Sequence, residues 1–220
     1  MILLYHRVFL LSSTRISLNV YLAKLNNAIS NFEISGIVIS NLSELEILPN
    51  TKLDIIGNYT LNLYNSFTAN KLNSLEINTI TISPELDKEA ISSICNSSYS
   101  NKELIVYGNT PLMTMNYCLL GKSNKCYNGC THNCNNEDSF YLKDRMGFKF
   151  RVLPDNIQTI STIYNSKITS ISYTEFNVNN VRIDILDESV DDINSIVSYV
   201  ISGNRIEGKD FTNGNINRII

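Results

Sequence analysis

Short β-branched runs alternate with stretches of helical spacing, and this rhythm restricts the fold more than any other feature of the chain. The runs are Gly36-Ile37-Val38-Ile39-Ser40, Leu53-Asp54-Ile55-Ile56-Gly57, Thr79-Ile80-Thr81-Ile82 and Glu103-Leu104-Ile105-Val106-Tyr107-Gly108. Helices are predicted before the first run, over 21–31, and after the second, over 63–72. A third follows Ser83-Pro84, where Ser83 suits an N-cap, Pro84 a first helical position, and Leu86, Ile91 and Ile94 a buried face. Alternation of this kind indicates βα units and a parallel sheet. A repeat of roughly twenty-odd residues fits the unit of a (β/α)8 TIM-type barrel.

The rhythm breaks after residue 115. Residues 116–147 are polar and rich in Asn and Cys, and read as an inserted loop module. Beyond them, 148–152, 159–164, 168–173 and 181–185 have strand character. Residues 190–202 form an amphipathic helix with Ile193, Val197 and Val200 on one face and Gly203 as its C-cap, and the polar tail is expected to be loose. The expected class is α/β, a partial or truncated (β/α)8 barrel with an inserted Cys-rich loop module. Residues 1–115 would form the βα half, 116–147 the insertion, and 148–220 the strands and helix completing the same domain. About six barrel-type strands can be counted against the eight a full barrel needs. The chain would then be either an incomplete barrel or an open α/β sheet, and exposed sheet edges would call for a partner chain to cover them.

The chain has 220 residues, 43% of them apolar and 18% charged, as in a soluble globular domain. A net charge of −3 gives no polybasic footprint for phosphate backbones. The apolar start, Met1 to Leu11, is interrupted by His6 and Arg7, so it reads as a buried strand rather than a secretory signal. No segment has the length of a membrane span. A cytoplasmic protein without a membrane partner is expected.

Four of the five cysteines are clustered as C-x7-C-x3-C-x3-C, at Cys118, Cys126, Cys130 and Cys134. Secreted disulfide frameworks spread their cysteines along the chain; clustered ones more often bind metal. Four thiolates suit tetrahedral zinc or an iron–sulfur cluster, although the spacing matches neither common zinc pairs nor the ferredoxin run. Disulfides are the alternative. His132, inside the module, could replace one thiol or simply face solvent. Cys95 reads as a buried helix thiol.

Hydrolytic machinery is hard to find. There is no H-E-x-x-H or G-x-S-x-G, and a Ser–His or Cys–His pair would need His6 or His132. Barrel active sites lie at the carboxyl ends of strands, which singles out Glu85, Tyr107, Asn109, Asn58, Tyr59 and Asn62. Arg145 could hold an anionic group or pair with Asp144. Arg182 and Asp184 alternate on a strand and should share a face, towards the barrel interior or an edge, each satisfied in an ion pair with other charges in the simplest reading. Tyr107, Tyr117, Tyr127 and Tyr141 flank the Cys module and could stack a nucleobase or pack the loop.

Three stretches carry a resemblance. Ile105-Val106-Tyr107-Gly108, Pro111-Leu112-Met113 and Tyr117-Cys118 are similar to a V-Y-G-x-x-P-L-M…Y-C pattern. Tyr141-Leu142-Lys143-Asp144-Arg145-Met146-Gly147-Phe148-Lys149-Phe150 is similar to Y-x-L-x-D-R-x-G-x-x-F. Ile163-Tyr164-Asn165-Ser166-Lys167 is followed by Val181-Arg182-Ile183-Asp184, where L-R-I-D or L-R-I-E is expected. Together they resemble peptidase family U thirty-two, the collagenase-like family. The resemblance implies either of two activities. One is cleavage of collagen-like or unfolded polypeptide. The other is oxygen-independent hydroxylation of RNA bases or a small aromatic, with a 4Fe-4S iron–sulfur cluster on four cysteines. In the second case Cys118, Cys126, Cys130 and Cys134 would bind the cluster, with Glu85, Tyr107 and Arg145 near the substrate and zinc as the alternative metal. The family's last cysteine precedes the I-Y-N-S motif, whereas this chain has none near Gln158 and Thr159, which leaves the cluster type open. An inactive, metal-stapled binding module is a third reading.

Overall fold

Strand β5, Asn101–Met115, is long enough to serve two sheets in one. Its first half pairs in parallel with β4 (Thr79–Thr81) on one side and β9 (Asn180–Ile183) on the other. Its second half pairs antiparallel with β8, Ile160–Ser170. The computed structural model describes residues 2–3, 18–31, 35–48, 53–97, 101–121, 126, 140–155 and 160–218. Among these residues the parallel path runs β2 (Gly36–Ile39), β3 (Asp54–Gly57), β4, β5, β9, β1 (Ile2–Leu3). The antiparallel path continues from β5 through β8 and β7 (Lys149–Asp155) to β6 (Phe140–Lys143). The result is a mixed α/β fold with a curled, open sheet, a half-barrel, as the alternation predicts in outline.

Helices α1 (Leu18–Asn31), α2 (Glu44–Ile47), α3 (Ser66–Asn73) and α4 (Lys88–Cys95) link the parallel strands, and α5 (Val190–Ile201) follows β9. Ile80, Leu104, Val106, Val181 and Ile183 meet Leu72, Ile91, Ile94, Ile196 and Val200 in one core. Successive side chains on a strand face opposite ways, so the alternate positions are turned from the helices. Those positions include Thr81, Glu103 and Arg182, all buried.

Several expectations are corrected. Helix α4 starts at Lys88, not at Pro84. Asp87 is its N-cap, accepting from Ala90 N at 2.8 Å, and its charge also suits the helix dipole. Ser83 instead caps a turn at Pro84-Glu85, accepting from Glu85 N at 3.3 Å. Two strands are expected, over 159–164 and 168–173; one strand, β8, runs through from Ile160 to Ser170. Asn165-Ser166-Lys167 makes no chain reversal: these residues bulge within β8 between the pairs Asn109–Ile168 and Pro111–Tyr164, and Asn109 Nδ2 donates to Asn165 O at 3.2 Å. Residues 140–143, expected as loop, form β6. Asp144 Oδ1 accepts from Met146 N at 2.8 Å and Phe148 N at 2.9 Å and so closes the β6–β7 hairpin. The tail is not loose: β10 (Phe211–Thr212) pairs with β8, and Ile206, Phe211 and Ile216 pack on the core. The expected buried thiol of Cys95 is found, at 3% exposure. His6, His132, Cys130, Cys134, Tyr127, Gln158 and Thr159 lie outside the described residues.

Candidate functional site

The face of the parallel strands turned from the helices is polar at its carboxyl end. Arg182, 3% exposed, is the centre of the cluster. Its Nε donates to Asp184 Oδ1 at 2.5 Å and its Nη2 to Asp184 Oδ2 at 3.1 Å, a bidentate pair. Nη1 donates to Asn58 Oδ1 at 2.9 Å and lies 3.9 Å from Glu103 Oε1. Asn58 Nδ2 donates in turn to Ser40 Oγ at 3.0 Å, and Thr81 Oγ1 donates to Glu103 Oε1 at 2.8 Å. Five strands or strand ends therefore converge on one guanidinium. Arg182 and Asp184 share a face, as their alternation predicts, but they pair with each other, and Arg182 with other groups as well.

Glu103 is fully buried, and its Oε2 has no hydrogen-bond partner among the described residues. Burial pushes its carboxyl above the ordinary value, against the bond from Thr81 and the charge of Arg182, with Asp184 adding to the rise. Two carboxylates share one cation here, so Glu103 is the one disposed to hold a proton.

Two phenols stand beside this floor. Tyr59, just past β3, is pushed up to about 12, chiefly by burial and then by the charge of Asp184. Tyr164, on β8, is raised by the same two causes in the same order. Both rings are half-buried and sense each other and Asp184. Next to Tyr164, Arg151 on β7 forms a two-point pair with Asp187, Nη2 to Oδ1 at 3.1 Å and a second bond from Nε. Its guanidinium lies over the Tyr141 ring, 5.6 Å from the centroid. The antiparallel extension thus brings Tyr164 and Arg151 to the carboxyl-end face. Such a site offers neutral phenol donors, a cationic floor and a carboxyl able to carry a proton.

Glu85 and Tyr107 follow neighbouring strands at this same end but point elsewhere. Glu85 is exposed and accepts from the Tyr64 hydroxyl. Tyr107 is buried among the helix-side core, beyond a bulge between Ile105 and Tyr107, and its hydroxyl donates to Glu188 Oε1 at 3.0 Å. Arg145 is exposed in the β6–β7 turn, and no Asp144–Arg145 bridge forms among the described residues, since Asp144 is occupied with the turn. Sequence reasoning missed Glu103 and Tyr164 as site residues. A lone acid opening an apolar run, Glu103-Leu104-Ile105-Val106, was the available signal. A cleft of about 780 Å³ does not coincide with this cluster; it lies between the end of α5 and the tail, near Tyr199, Asn204 and Asn217.

The cysteine loop begins at the far end of β5. Gly121 N donates to Cys118 O at 3.1 Å, closing a turn, and Cys126 N donates to Gly121 O at 2.8 Å, so both cysteine backbones are bonded to Gly121. Leu119 N donates to the buried Ser161 Oγ at 3.2 Å and ties that turn to β8. Ser161 and Tyr164 are three residues apart, so the turn is anchored about 10 Å along the strand from the phenol. The thiols of Cys118 and Cys126 fit a thiolate-ligated metal or cluster in donor chemistry. Among the described residues no three His, Cys, Asp or Glu side chains gather as a metal site.

Comparison with family models finds no match, and none is found among curated proteins. A solved structure similar to this chain is a U32 peptidase. It is described as "The Structure of the U32 Peptidase Mk0906", with 16% identity and a TM-score of 0.40. The match covers 77% of this chain and 63% of that one, so the chain spans less than two thirds of the neighbour's length. That protein bears the name of the family whose motifs the stretches from Ile105, Tyr141 and Ile163 resemble. No helix among the described residues is long and apolar enough to cross a membrane.

Proposed function

We propose that this chain is a U32-type enzyme that binds a planar, polar aromatic, an RNA base or a small aromatic molecule, at the Arg182–Glu103 cluster. The observation that carries the reading is the buried Glu103 carboxyl, one oxygen without a partner among the described residues, beside Arg182 on the sheet face turned from the helices. A buried polar atom left unpaired is costly, and a ligand group that supplies the missing bond relieves that cost. Tyr59 and Tyr164 would form the walls against which a ring rests. Asn58, held by Arg182 and Ser40, keeps the floor rigid. Protonated Glu103 would donate to a ring carbonyl or nitrogen and recover the proton afterwards. Arg145 and Glu85, both exposed, would contact outer parts of a larger substrate such as RNA.

Cys118, Cys126, Cys130 and Cys134 would hold an iron–sulfur cluster, with zinc as the alternative. When bound, the cluster supplies single-electron transfer; zinc on four thiolates would serve as a structural staple. The protein's own residues bind the ring, exclude water and position the proton of Glu103.

The test is the iron, sulfide and zinc content of protein purified without oxygen, together with its visible absorbance. Brown protein whose iron is lost in Cys126→Ala, and whose tyrosine emission is quenched by a nucleobase in the parent but not in Arg182→Met, supports the proposal. The chain has no Trp, so tyrosine emission is read directly. Metal-free protein that cleaves unfolded polypeptide would replace this reading with a hydrolase.

A further inference from the structure

At the amino-terminal end of the parallel strands lies a second pocket of about 440 Å³. Asn73, Asn78, Asn101, Asn177, Asn179 and Lys102 contribute to its lining. Lys102 is 5% exposed. Its Nζ donates to the Ser97 carbonyl, and no carboxylate lies within ion-pair distance of it among the described residues. A buried ammonium is ordinarily paired with an acid. Here its other ionisable neighbour is the Cys95 thiol, and burial lowers the lysine below its usual range.

The asparagines nearest to Lys102 are spent on one side. Asn179 Oδ1 accepts from Lys102 N at 2.9 Å, and Asn78 Oδ1 accepts from Ile55 N at 3.1 Å. Both acceptor oxygens are engaged with backbone, so each amide offers its NH2 group to the pocket. The lining therefore combines a cation without a counter-charge and amide donors whose acceptors are occupied. Its missing partner is an acceptor with negative charge.

We infer that this pocket binds a small oxyanion, a carboxylate or phosphate group, with Lys102 as the charge partner and the amides of Asn78 and Asn179 as donors. The site is distinct from the Arg182 cluster: Lys102 and Glu103 are neighbours in β5 and project to opposite faces of the sheet.

Inorganic phosphate, and separately acetate, are titrated against the full chain while thermal unfolding is followed, with sodium chloride at matched ionic strength as the reference. Binding to the folded state should raise the midpoint saturably, by roughly 5–10 °C at one hundred times Kd. Lys102→Met should abolish the rise. Asn179→Asp keeps the acceptor for Lys102 N and puts a carboxylate in the pocket, so it should fold, pair with Lys102 and lose the response as well. It decides the matter if Lys102→Met does not fold. No saturable rise over chloride with either anion, or an undiminished rise in Asn179→Asp, would overturn the inference.

Discussion

Glu103 at neutral pH is a carboxyl in a place that favours its proton. Because its folded value lies above the unfolded one, its contribution to stability is fully present below about pH 4.5 and is lost as pH rises through the raised value. Glu103→Gln removes that loss while leaving an oxygen to accept from Thr81. Its urea stability relative to the parent should therefore improve from pH 4 to pH 7, while nucleobase binding falls. A flat difference would mean that Glu103 ionises as freely as in the unfolded chain. Arg182→Met strips two acids and Asn58 of their common partner and should cost about 3–5 kcal/mol. Gly108 guards the same pair from behind. Its φ is +142°, and a Cβ there would sit 2.7 Å from Asp184 O and 2.8 Å from Asp184 Cβ. Gly108→Ala should destabilise by about 2 kcal/mol or more and displace Asp184, visible as a loss of the Asp184–Arg182 contact in a crystal of the variant. At this scale the sequence was partly legible. Arg182 and Asp184 could be placed on one face from their strand alternation alone. Asn58 and Glu103 could not be joined to them, since hydrogen bonds across 124 residues of chain, such as Arg182 to Asn58, depend on which strands become neighbours.

Among the elements, capping decides where helices begin. Asp87→Ala should cost about 1 kcal/mol in chemical denaturation, whereas Ser83→Ala should cost less, because Ser83 makes only one long turn bond. The reverse order would restore the helix start read at Pro84. Helix α5 was readable almost to the residue. It has a capping box, Ser189 with Asp192, and Gly203 follows at φ +77°. Strands were less legible where an apolar pattern was interrupted. The polar Asn165-Ser166-Lys167 interrupts the apolar pattern, but a bulge within β8 lets the strand continue through it. Tyr107 shows the same effect: one bulge turned a residue counted as a strand-end candidate towards the helices.

For the whole molecule, the half-barrel and its antiparallel extension leave β6 at one end of the sheet path. Its hairpin exposes Tyr141, Leu142, Met146 and Phe148. An apolar edge strand is a template for another chain, so the parent should self-associate at high concentration and Leu142→Lys should reduce this in sedimentation velocity. The alternation of runs and helices gave the parallel half in the right order. The extension was hidden because β5 continues past Gly108 through residues whose pattern reads as loop. That continuation also bears on how the chain is made. β5 lies in the interior of the sheet, yet its partner β9 is encoded 77 residues later, as the Lys102–Asn179 bond records. At ribosomal rates of 5–20 residues per second, roughly 4–15 s pass before that partner emerges. For that interval the nascent chain carries a long, bare, Ile- and Val-bearing edge, and a chaperone that holds it would be acting on the strand that later joins both parts of the sheet.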